Sequence, residues 1–371
     1  MRPTTEAALA EMIAGATGPL RIRGGGTRGF DGPGAVLETG GLSGVSLYEP
    51  GSLTLVAGAG TPLAEVEALL AGEGQRLAFE PMDMRGLLGS GGAPTLGGMV
   101  ATNASGPRRI QVGACRDFLM GVRFVDGLGR VVKNGGRVMK NVTGYDLVKL
   151  MAGAHGTLGV LTELSFKVLA RPETTAVLLF EGLGDAEAVR LMAAALGSPY
   201  DVSGAAHVPV GLDGAPVTMV RVEGFEASVS YRAGRLQQAL AQFGDCEIER
   251  DPDRTASGWA WVRDVAAFHD RPGDVWRLSC KPSDAPELVA RAEADGVIYD
   301  WGGGLVWLLL PEGTDLRARL GAFGGHATLV RASKDTQIPL FQPEPAGVAA
   351  LSEGLRQRFD PRGILNPGMM G

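Results

Sequence analysis

The sequence has few of the residues that bind metals or form disulfides. Its 371 residues include only 3 cysteines and 4 histidines. Cys115, Cys246 and Cys280 lie far apart and are odd in number, which argues against a disulfide framework and against a C-x-x-C redox or zinc site. Their number also falls short of the usual four thiolate ligands of an iron–sulfur cluster. The histidines lack the short paired spacing of metal ligands, so we predict no metal site.

Long apolar runs and blocks of like charge are also missing. No apolar stretch approaches the length of a membrane span, and the first residues include acidic ones where a signal peptide would be apolar. The net charge of −6 includes no basic block that would bind nucleic acid or an anionic membrane surface. We therefore expect a cytoplasmic protein that does not bind nucleic acid, with any attachment to the inner membrane made through its partners.

Glycine, in contrast, is abundant: the chain has 57, about twice the usual share. Three glycine loops stand out, RGGGTRG at Arg23 to Gly29, PTLGGMVATNASGPRR at Pro94 to Arg109, and HGTLG at His155 to Gly159. Glycine lacks a Cβ, so main-chain N–H groups can approach a phosphate closely. The Gly-Lys-Ser/Thr of a Walker A loop is absent, which favours the pyrophosphate of a bound dinucleotide over a transferable phosphate. Glycine-rich turns without a ligand remain the alternative.

Polar side chains beside these loops could assist anion binding. Arg23 and Arg28 flank the first loop and could offset the charge of a phosphate. The central loop also carries short side chains that could donate to phosphate oxygens or cap a helix, namely Thr95, Thr102, Asn103 and Ser105. These features predict an anion-binding concavity built from several loops.

Another glycine pair resembles half of a Rossmann fingerprint. Gly58 and Gly60 follow a predicted strand, and Glu80 lies near the spacing of a ribose-binding acid, but Leu63 occupies the third glycine position. A tight turn with Thr61 as N-cap and a proline at the first helical position explains these glycines without a ligand. We therefore predict no nicotinamide site there.

The length favours two domains, and the dipeptide Arg171-Pro172 predicts the boundary between them. The region after it predicts an α+β domain whose helices cover one face of a sheet. The predicted strands there are 176–180, 217–224, 276–280, 297–299, 305–310 and 327–330, and the predicted helices are 185–196 and 228–243. A final helix is predicted at 348–359, and a hairpin is predicted around Asp126-Gly127 in the first region.

Taken in order, four segments resemble the FAD-binding family of the vanillyl-alcohol-oxidase and D-lactate-dehydrogenase type. They are RGGGT at 23–27, LGGMVATNASG at 96–106, GYDLVKLMAGAHGTLGVLTE at 144–163 and FDPRGILNPG at 359–368. Within that family, further details resemble the FAD-binding E subunits of bacterial glycolate oxidases. These are VMKNVTGYDLVKLMAG at 138–153, SGPRR at 105–109, WRLS at 276–279, DWGG at 300–303 and GGHATL at 324–329.

The resemblance implies an α+β fold with a two-lobed FAD-binding domain of the VAO/PCMH type at 1–171. A smaller α+β cap domain with an antiparallel sheet would follow at 172–335, and residues 336–371 would return to the first domain. Carried over by motif, the FAD-binding positions are Arg23, Gly24, Gly25, Gly26, Thr27, Arg28, Gly89, Pro94, Thr95, Gly97, Gly98, Thr102, Asn103, Ser105, Gly156, Thr157, Gly159 and Val160. Because Thr27 stands where some relatives place a histidine bonded to flavin, the resemblance implies noncovalent FAD.

The implied function is that of a flavoprotein subunit in a complex that oxidises the 2-hydroxy acid glycolate to glyoxylate. Its implied partners are a catalytic flavoprotein subunit and an iron–sulfur subunit. Two alternatives remain open. The chain could be a stand-alone FAD-dependent oxidase of an alcohol or sugar, or a non-catalytic assembly subunit.

Catalytic members of the family carry a histidine- and acid-rich H-x-G-D-G-N-x-H type segment, from which this chain departs. The nearest equivalent, at residues 300–307, has no histidine. His207, His269 and His326 are isolated, and we expect each to be structural, with His326 the weak candidate for a catalytic base. Arg277 and Arg331 are candidates for binding a substrate carboxylate, and we expect His155 to be a surface loop residue.

Overall fold

The computed structural model of the protein describes residues 1–29, 32–137 and 144–370. Residues 138–143 of the motif VMKNVTGYDLVKLMAG lie outside the described residues. The helices are α1 (Glu6–Ala14), α2 (Leu63–Gly72), α3 (Arg85–Leu88), α4 (Leu96–Ala101), α5 (Arg109–Val112), α6 (Cys115–Phe118), α7 (Leu147–Met151), α8 (Asp185–Leu196), α9 (Glu226–Ala239), α10 (Pro252–Arg263), α11 (Ala285–Ala292), α12 (Leu316–Leu320) and α13 (Ala346–Phe359).

The strands alternate with these helices along the chain. They are β1 (Leu20–Arg23), β2 (Ala35–Glu38), β3 (Val45–Glu49), β4 (Thr54–Gly58), β5 (Gln75–Arg76), β6 (Leu119–Val125), β7 (Val131–Gly135), β8 (Val160–Lys167), β9 (Leu169–Ala170), β10 (Thr174–Glu181), β11 (Val202–Val208), β12 (Val217–Gly224), β13 (Glu247–Glu249), β14 (Asp274–Cys280), β15 (Gly296–Asp300), β16 (Leu305–Leu310) and β17 (Gly325–Arg331). Among the described helices, none is both long and apolar enough to cross a membrane.

The chain divides into two compact units. The first contains Met1–Ser105, Gly113–Arg171 and Pro343–Gly371, and the second contains Gly106–Val112 and Pro172–Gln342. Residues 106–112 therefore belong to the second unit although they precede the boundary predicted from the sequence. The last four residues of the central glycine loop, 106–109, lie in this segment.

The first unit contains a small parallel pair of strands and a larger antiparallel sheet. Strands β1 and β2 pair in parallel, and the five-stranded sheet has the order β3-β4-β8-β6-β7. The turn between β6 and β7 is stabilised by Asp126, whose Oδ1 accepts hydrogen bonds from the N–H groups of Leu128 and Arg130. The hairpin predicted around Asp126-Gly127 is confirmed.

The lobe around β1 is completed by residues near the end of the sequence. Leu9 and Ile13, one turn apart on α1, are fully buried and pack in a cluster with Leu20, Ile364 and Leu365. The N–H of Leu20 donates to the carbonyl of Ile364, with an N···O distance of 2.7 Å. The C-terminal segment therefore supplies part of the core of the first unit.

Asn366 connects this returning segment to two elements of the first unit. Its Oδ1 accepts a hydrogen bond from the N–H of Ile22 in β1 at 2.7 Å, and its Nδ2 donates to the carbonyl of His155 at 2.8 Å. The residue is 5% exposed and has a φ of 43°, in the left-handed region. One side chain thus joins β1 to the third glycine loop.

Replacing Asn366 with glycine should lower the free energy of unfolding by roughly 2–3 kcal/mol, because two hydrogen bonds are lost without backbone strain. Chemical denaturation of the two purified proteins measures this difference. Asn366→Ala is the matched control, since it loses the same bonds and adds the cost of a Cβ at positive φ, and it should be less stable still. A glycine variant as stable as the original protein would contradict the bridging role.

The second unit is built on an eight-stranded antiparallel sheet of order β13-β10-β12-β11-β15-β16-β14-β17. One face forms a large apolar core with helices α8, α9, α11 and α12. Trp276 and Leu278 of β14 point into this core and are fully buried. Because side chains alternate along a strand, Arg277 and Ser279 lie on the opposite face.

Most predicted elements of the second unit are found in the structure. Helix α8 and strands β12 and β16 have the predicted bounds. Strand β11 and helices α10 and α11 were not predicted. Strand β11 has the sequence VSGAAHV, whose glycine and alanines do not favour a strand locally. The glycine is required by packing, since a Cβ on Gly204 would lie 2.9 Å from a ring carbon of Trp259 in α10.

Candidate flavin site

The first and central glycine loops pack directly against each other. A Cβ on Gly24 would lie 2.5 Å from Oγ1 of Thr95, and a Cβ on Gly25 would lie 1.6 Å from the carbonyl oxygen of Ala93, just before the central loop. The third loop reaches the end of α4, where the N–H of His155 donates to the carbonyl of Ala101 at 2.8 Å. The structure therefore brings all three predicted loops together around α4.

The first loop carries main-chain donors that the protein does not use. The N–H groups of Gly25, Gly26 and Thr27 donate to no acceptor within the described ranges. Gly26 has a φ of 70°, and Thr27 is only 5% exposed. Consecutive N–H groups around a positive-φ residue form an anion-binding nest. The first loop therefore has the main-chain donors that a phosphate requires.

Arg28 adds a cation at the same place. Burial lowers its pKa to about 10. Its guanidinium forms no hydrogen bond or ion pair within the described part of the chain. Burying a cation without a partner is costly, so this arrangement favours an anionic ligand. The unused N–H groups and the cation together fit the pyrophosphate of a dinucleotide.

The central loop differs from the expectation based on its glycines. The N–H of Gly97 donates to the carbonyl of Ala59 at 2.6 Å, and the N–H of Gly98 donates to Oγ1 of Thr95, the N-cap of α4, at 3.2 Å. Both N–H groups therefore already have acceptors within the protein, and the assignment of Gly97 and Gly98 to the FAD site stays a prediction. Gly98 nevertheless leaves space on its outer side, because an added Cβ would lie 4.0 Å from Nε of Arg28.

The polar side chains of the central loop are used mainly to hold the loop itself. Thr102 Oγ1 donates to the carbonyl of Gly98 at 2.9 Å, and Ser105 Oγ donates to the carbonyl of Asn103 at 3.1 Å. Asn103 Oδ1 accepts from the N–H of Arg116 at 3.0 Å. The hydroxyls of Thr102 and Ser105 and Oδ1 of Asn103 therefore stabilise the loop, and their contact with a phosphate stays a prediction.

The remaining FAD-binding positions carried over by motif have structural roles that the sequence did not reveal. Thr157 Oγ1 donates to the carbonyl of Ala154 at 2.7 Å and stabilises its own turn. A Cβ on Gly159 would lie 2.6 Å from the ring of Phe124, so this glycine permits close packing. Gly156, Pro94 and Gly24 likewise lie in tight contacts, Val160 is fully buried in β8, and Gly89 ends α3 with a φ of 58°.

His155 is not the surface residue that the sequence suggested. It is half-buried with a φ of 51°. Burial and the nearby charge of Arg28 lower its pKa to about 4, so its imidazole is neutral near pH 7. A neutral imidazole beside a buried arginine adds no second positive charge to the site.

The turn at Gly58 and Gly60 has the structural explanation expected for it. A Cβ on Gly60 would lie 2.2 Å from the carbonyl oxygen of Thr39, so close backbone packing requires this glycine. The predicted N-cap is wrong, because α2 is preceded by Pro62 and Thr61 Oγ1 instead donates to the carbonyl of Gly58 at 2.7 Å.

The histidines of the second unit fall into two groups. His207 is fully buried, with Nδ1 at 2.9 Å from Thr218 Oγ1, and His269 Nε2 lies 2.9 Å from the carbonyl of Asp264. Both are structural, as expected. His326 is solvent-accessible, and although its backbone pairs with Ser279, its imidazole makes no hydrogen bond within the described residues.

Arg331, a candidate for carboxylate binding, is occupied by main-chain carbonyls. Its guanidinium donates to the carbonyls of Gly273, Phe268 and Arg271 at 2.7–3.2 Å. Arg277 has no such acceptors among the residues that the structure describes and remains the better candidate. The described residues include no group of three or more histidine, cysteine or acidic side chains arranged to hold a metal ion.

Sequence and structure comparisons indicate the fold and the cofactor. Residues 1–135 match the profile of an FAD binding domain. A solved structure of alkyldihydroxyacetonephosphate synthase superposes over 99% of this chain and 76% of its own, with a TM-score of 0.71 and 16% sequence identity. The fold is therefore that of VAO/PCMH-type flavoproteins, and the cofactor is FAD.

Close relatives define the family further. The glycolate oxidase subunit GlcE of Escherichia coli is 36% identical over 359 residues, which cover 95% of this chain and 92% of that protein. A D-lactate dehydrogenase of Anaerostipes hadrus is 43% identical over 93 residues, 24% of this chain and 20% of that protein. This chain belongs to the family of FAD-dependent oxidoreductases that includes GlcE.

Proposed function

We propose that this chain is the FAD-binding subunit of a complex that oxidises glycolate to glyoxylate. The observation that carries the proposal is the anion cradle formed by the unused N–H groups of residues 25–27 and by Arg28. It occurs in a chain that resembles a glycolate oxidase subunit over nearly its whole length. When bound, FAD supplies a two-electron acceptor for the hydrogen on C2 of a 2-hydroxy acid.

Residues of the first unit would bind and orient the cofactor. The N–H groups of Gly25, Gly26 and Thr27 would donate to pyrophosphate oxygens, and Arg28 would offset their charge. The open side of Gly98 would allow the cofactor to approach α4. Thr27 and the central loop offer neither a histidine nor a cysteine for a covalent bond, so we propose noncovalent FAD.

Oxidation of a 2-hydroxy acid also requires a base for its hydroxyl proton. His326 is the available imidazole in the second unit. Partial burial and the charges of Arg277 and Arg109 lower its pKa, so it is neutral near pH 7 and can accept a proton. In the described residues no carboxylate hydrogen-bonds to its ring to orient it. We therefore propose that this subunit alone is a poor glycolate dehydrogenase.

The proposed partners follow from the same reasoning. The E. coli relative is named a subunit of glycolate oxidase. A second flavoprotein with its own histidines would supply the missing base. An iron–sulfur subunit would carry electrons onward, since the three cysteines of this chain are too few to hold a cluster. The lack of an oriented base also favours the second candidate, a non-catalytic assembly subunit of the complex.

The proposal is tested by measuring glycolate and D-lactate oxidation with an artificial electron acceptor. The FAD-loaded chain is assayed alone and again with the partner flavoprotein, and acid precipitation checks that all flavin is released into the supernatant. We expect the reconstituted complex to be at least about a hundredfold faster than the chain alone, a typical factor for a positioned base. Equal rates, lost on His326→Ala, would show instead that this chain is itself the dehydrogenase.

A further inference from the structure

We propose that the second unit contains a binding site for a small monocarboxylate, formed by Arg277 and Arg109 at the ring of Trp301, beside His326. The site is formed by residues of the second unit alone. It does not include residues 25–28, which are proposed to bind the pyrophosphate of FAD. Only the identity of its ligand, a 2-hydroxy or 2-oxo acid, rests on the proposed function.

Trp301 is fixed at the centre of this site. Its N–H donates to Oδ1 of the buried Asp300 at 2.7 Å, and its indole Nε1 donates to the carbonyl of Gly106 at 3.0 Å. The residue has a φ of 53°, which is uncommon for a bulky side chain. The indole is therefore held between the end of β15 and the segment 106–112.

Two arginines lie against this indole. The Cζ atom of Arg109 is 4.6 Å from the ring centroid, and that of Arg277 is 5.1 Å from it. The segment bearing Arg109 is anchored by its neighbour Arg108, which forms a two-pronged ion pair with Glu223 at 2.8 Å for both bonds. Burial and the charge of Arg109 lower the pKa of Arg277 to about 10. The fold thus holds two like charges close together, an arrangement that an anion stabilises.

Two other arginines of the second unit that stack on tryptophan rings also donate hydrogen bonds to protein acceptors. Arg221 lies over a tryptophan ring and also donates to the hydroxyl and carbonyl of Ser203. Arg317 lies over another and donates to two main-chain carbonyls. Arg277 makes no hydrogen bond or ion pair with any residue that the structure describes. Its donors are available to a ligand.

The charges at the site select a monoanion. Arg109 and Arg277 are positive, Asp300 is negative, and His326 is neutral near pH 7, which leaves one net positive charge. His326 pairs across the strands with Ser279, two residues after Arg277, so its side chain lies on the same sheet face as that of Arg277. A carboxylate bound by Arg277 would place a substituent on its C2 towards the imidazole.

The test is binding of oxamate, a monocarboxylate that resembles a 2-oxo acid and that a flavin does not oxidise, to the full-length protein by isothermal titration calorimetry. We expect Arg277→Met to weaken oxamate binding at least tenfold, since a charge-assisted hydrogen bond is lost. Arg277→Lys should restore part of the affinity, and the matched control Arg254→Met, at an arginine 77% exposed, should leave it unchanged.

Thermal denaturation shows whether the variants fold. Because Arg277→Met removes a like-charge contact, its unfolding midpoint should equal or exceed that of the original protein. Unchanged oxamate affinity in a folded Arg277→Met protein would overturn the proposal, as would tighter binding of phosphate than of oxamate. Failure of oxamate to bind while FAD is retained would refute this site alone. Loss of FAD with oxamate binding intact would refute the proposed function alone.

Discussion

Replacing Arg28 with methionine should weaken FAD binding at least tenfold and, at the same time, raise the thermal stability of the flavin-free protein. The affinity falls because a charge-assisted contact to the pyrophosphate is lost. The stability rises because a half-buried cation that forms no hydrogen bond or ion pair among the described residues is replaced by an apolar side chain of similar length. A loss of FAD affinity together with a gain in thermal stability distinguishes an arginine that binds the ligand from one that stabilises the fold.

Both quantities can be measured on one preparation stripped of flavin. FAD titration gives the dissociation constant, and a thermal melt gives the midpoint. Arg23→Met is the matched control, because Arg23 flanks the same loop but is exposed, and it should have a smaller effect on both. A methionine variant at position 28 that melts earlier and binds FAD normally would show that Arg28 stabilises the fold and does not bind the cofactor.

Replacing Gly98 with valine should weaken FAD binding about a hundredfold, with little change in the stability of the flavin-free protein. The new methyl groups would fill the space between α4 and Arg28, where an added Cβ meets only Thr95 Oγ1 at 3.3 Å and Nε of Arg28 at 4.0 Å. A pyrophosphate displaced in this way would lose about two charge-assisted contacts with the protein. At roughly 1.5 kcal/mol each, this loss raises the dissociation constant of FAD about a hundredfold.

The adjacent glycine supplies the control. A Cβ on Gly97 would lie 2.9 Å from the carbonyl oxygen of Ala59 and 3.0 Å from its Cβ, so Gly97→Val should destabilise the protein itself. Flavin titration and thermal melts of both variants separate the two effects. Normal FAD affinity in Gly98→Val would exclude this face of α4 from the site.

The sequence predicted the glycine loops but not which of their N–H groups are used within the protein. Glycine loops can be recognised locally, because a missing Cβ and a following helix N-cap are properties of neighbouring residues. Whether an N–H is available depends on distant parts of the chain. Gly97 donates to Ala59, whereas Gly25 contacts Ala93 yet keeps its N–H unused. Which N–H groups of the predicted loops have acceptors within the protein could not be predicted from the pattern.

The same dependence on distant residues explains why the sequence analysis did not predict the contacts of Arg109 and Arg277 with Trp301. Arg109 and Trp301 lie in motifs that the sequence analysis noted separately, but nothing in their spacing indicates that they meet. Their contact depends on residues 106–112 joining the second unit. In contrast, α8 and β16 were predicted with correct bounds, because their apolar periodicity is complete within each segment.

The return of residues 364–366 to the first unit determines the order in which the chain can fold during synthesis. Leu20 pairs with Ile364, and Asn366 bridges β1 and the third glycine loop. At roughly 5–20 residues per second, a ribosome needs on the order of 10–40 s to proceed from residue 171 to these positions. During that time the second unit is made in full, while the flavin unit still lacks part of its core. Flavin can therefore be captured stably only after the unit that follows it in sequence has been synthesised.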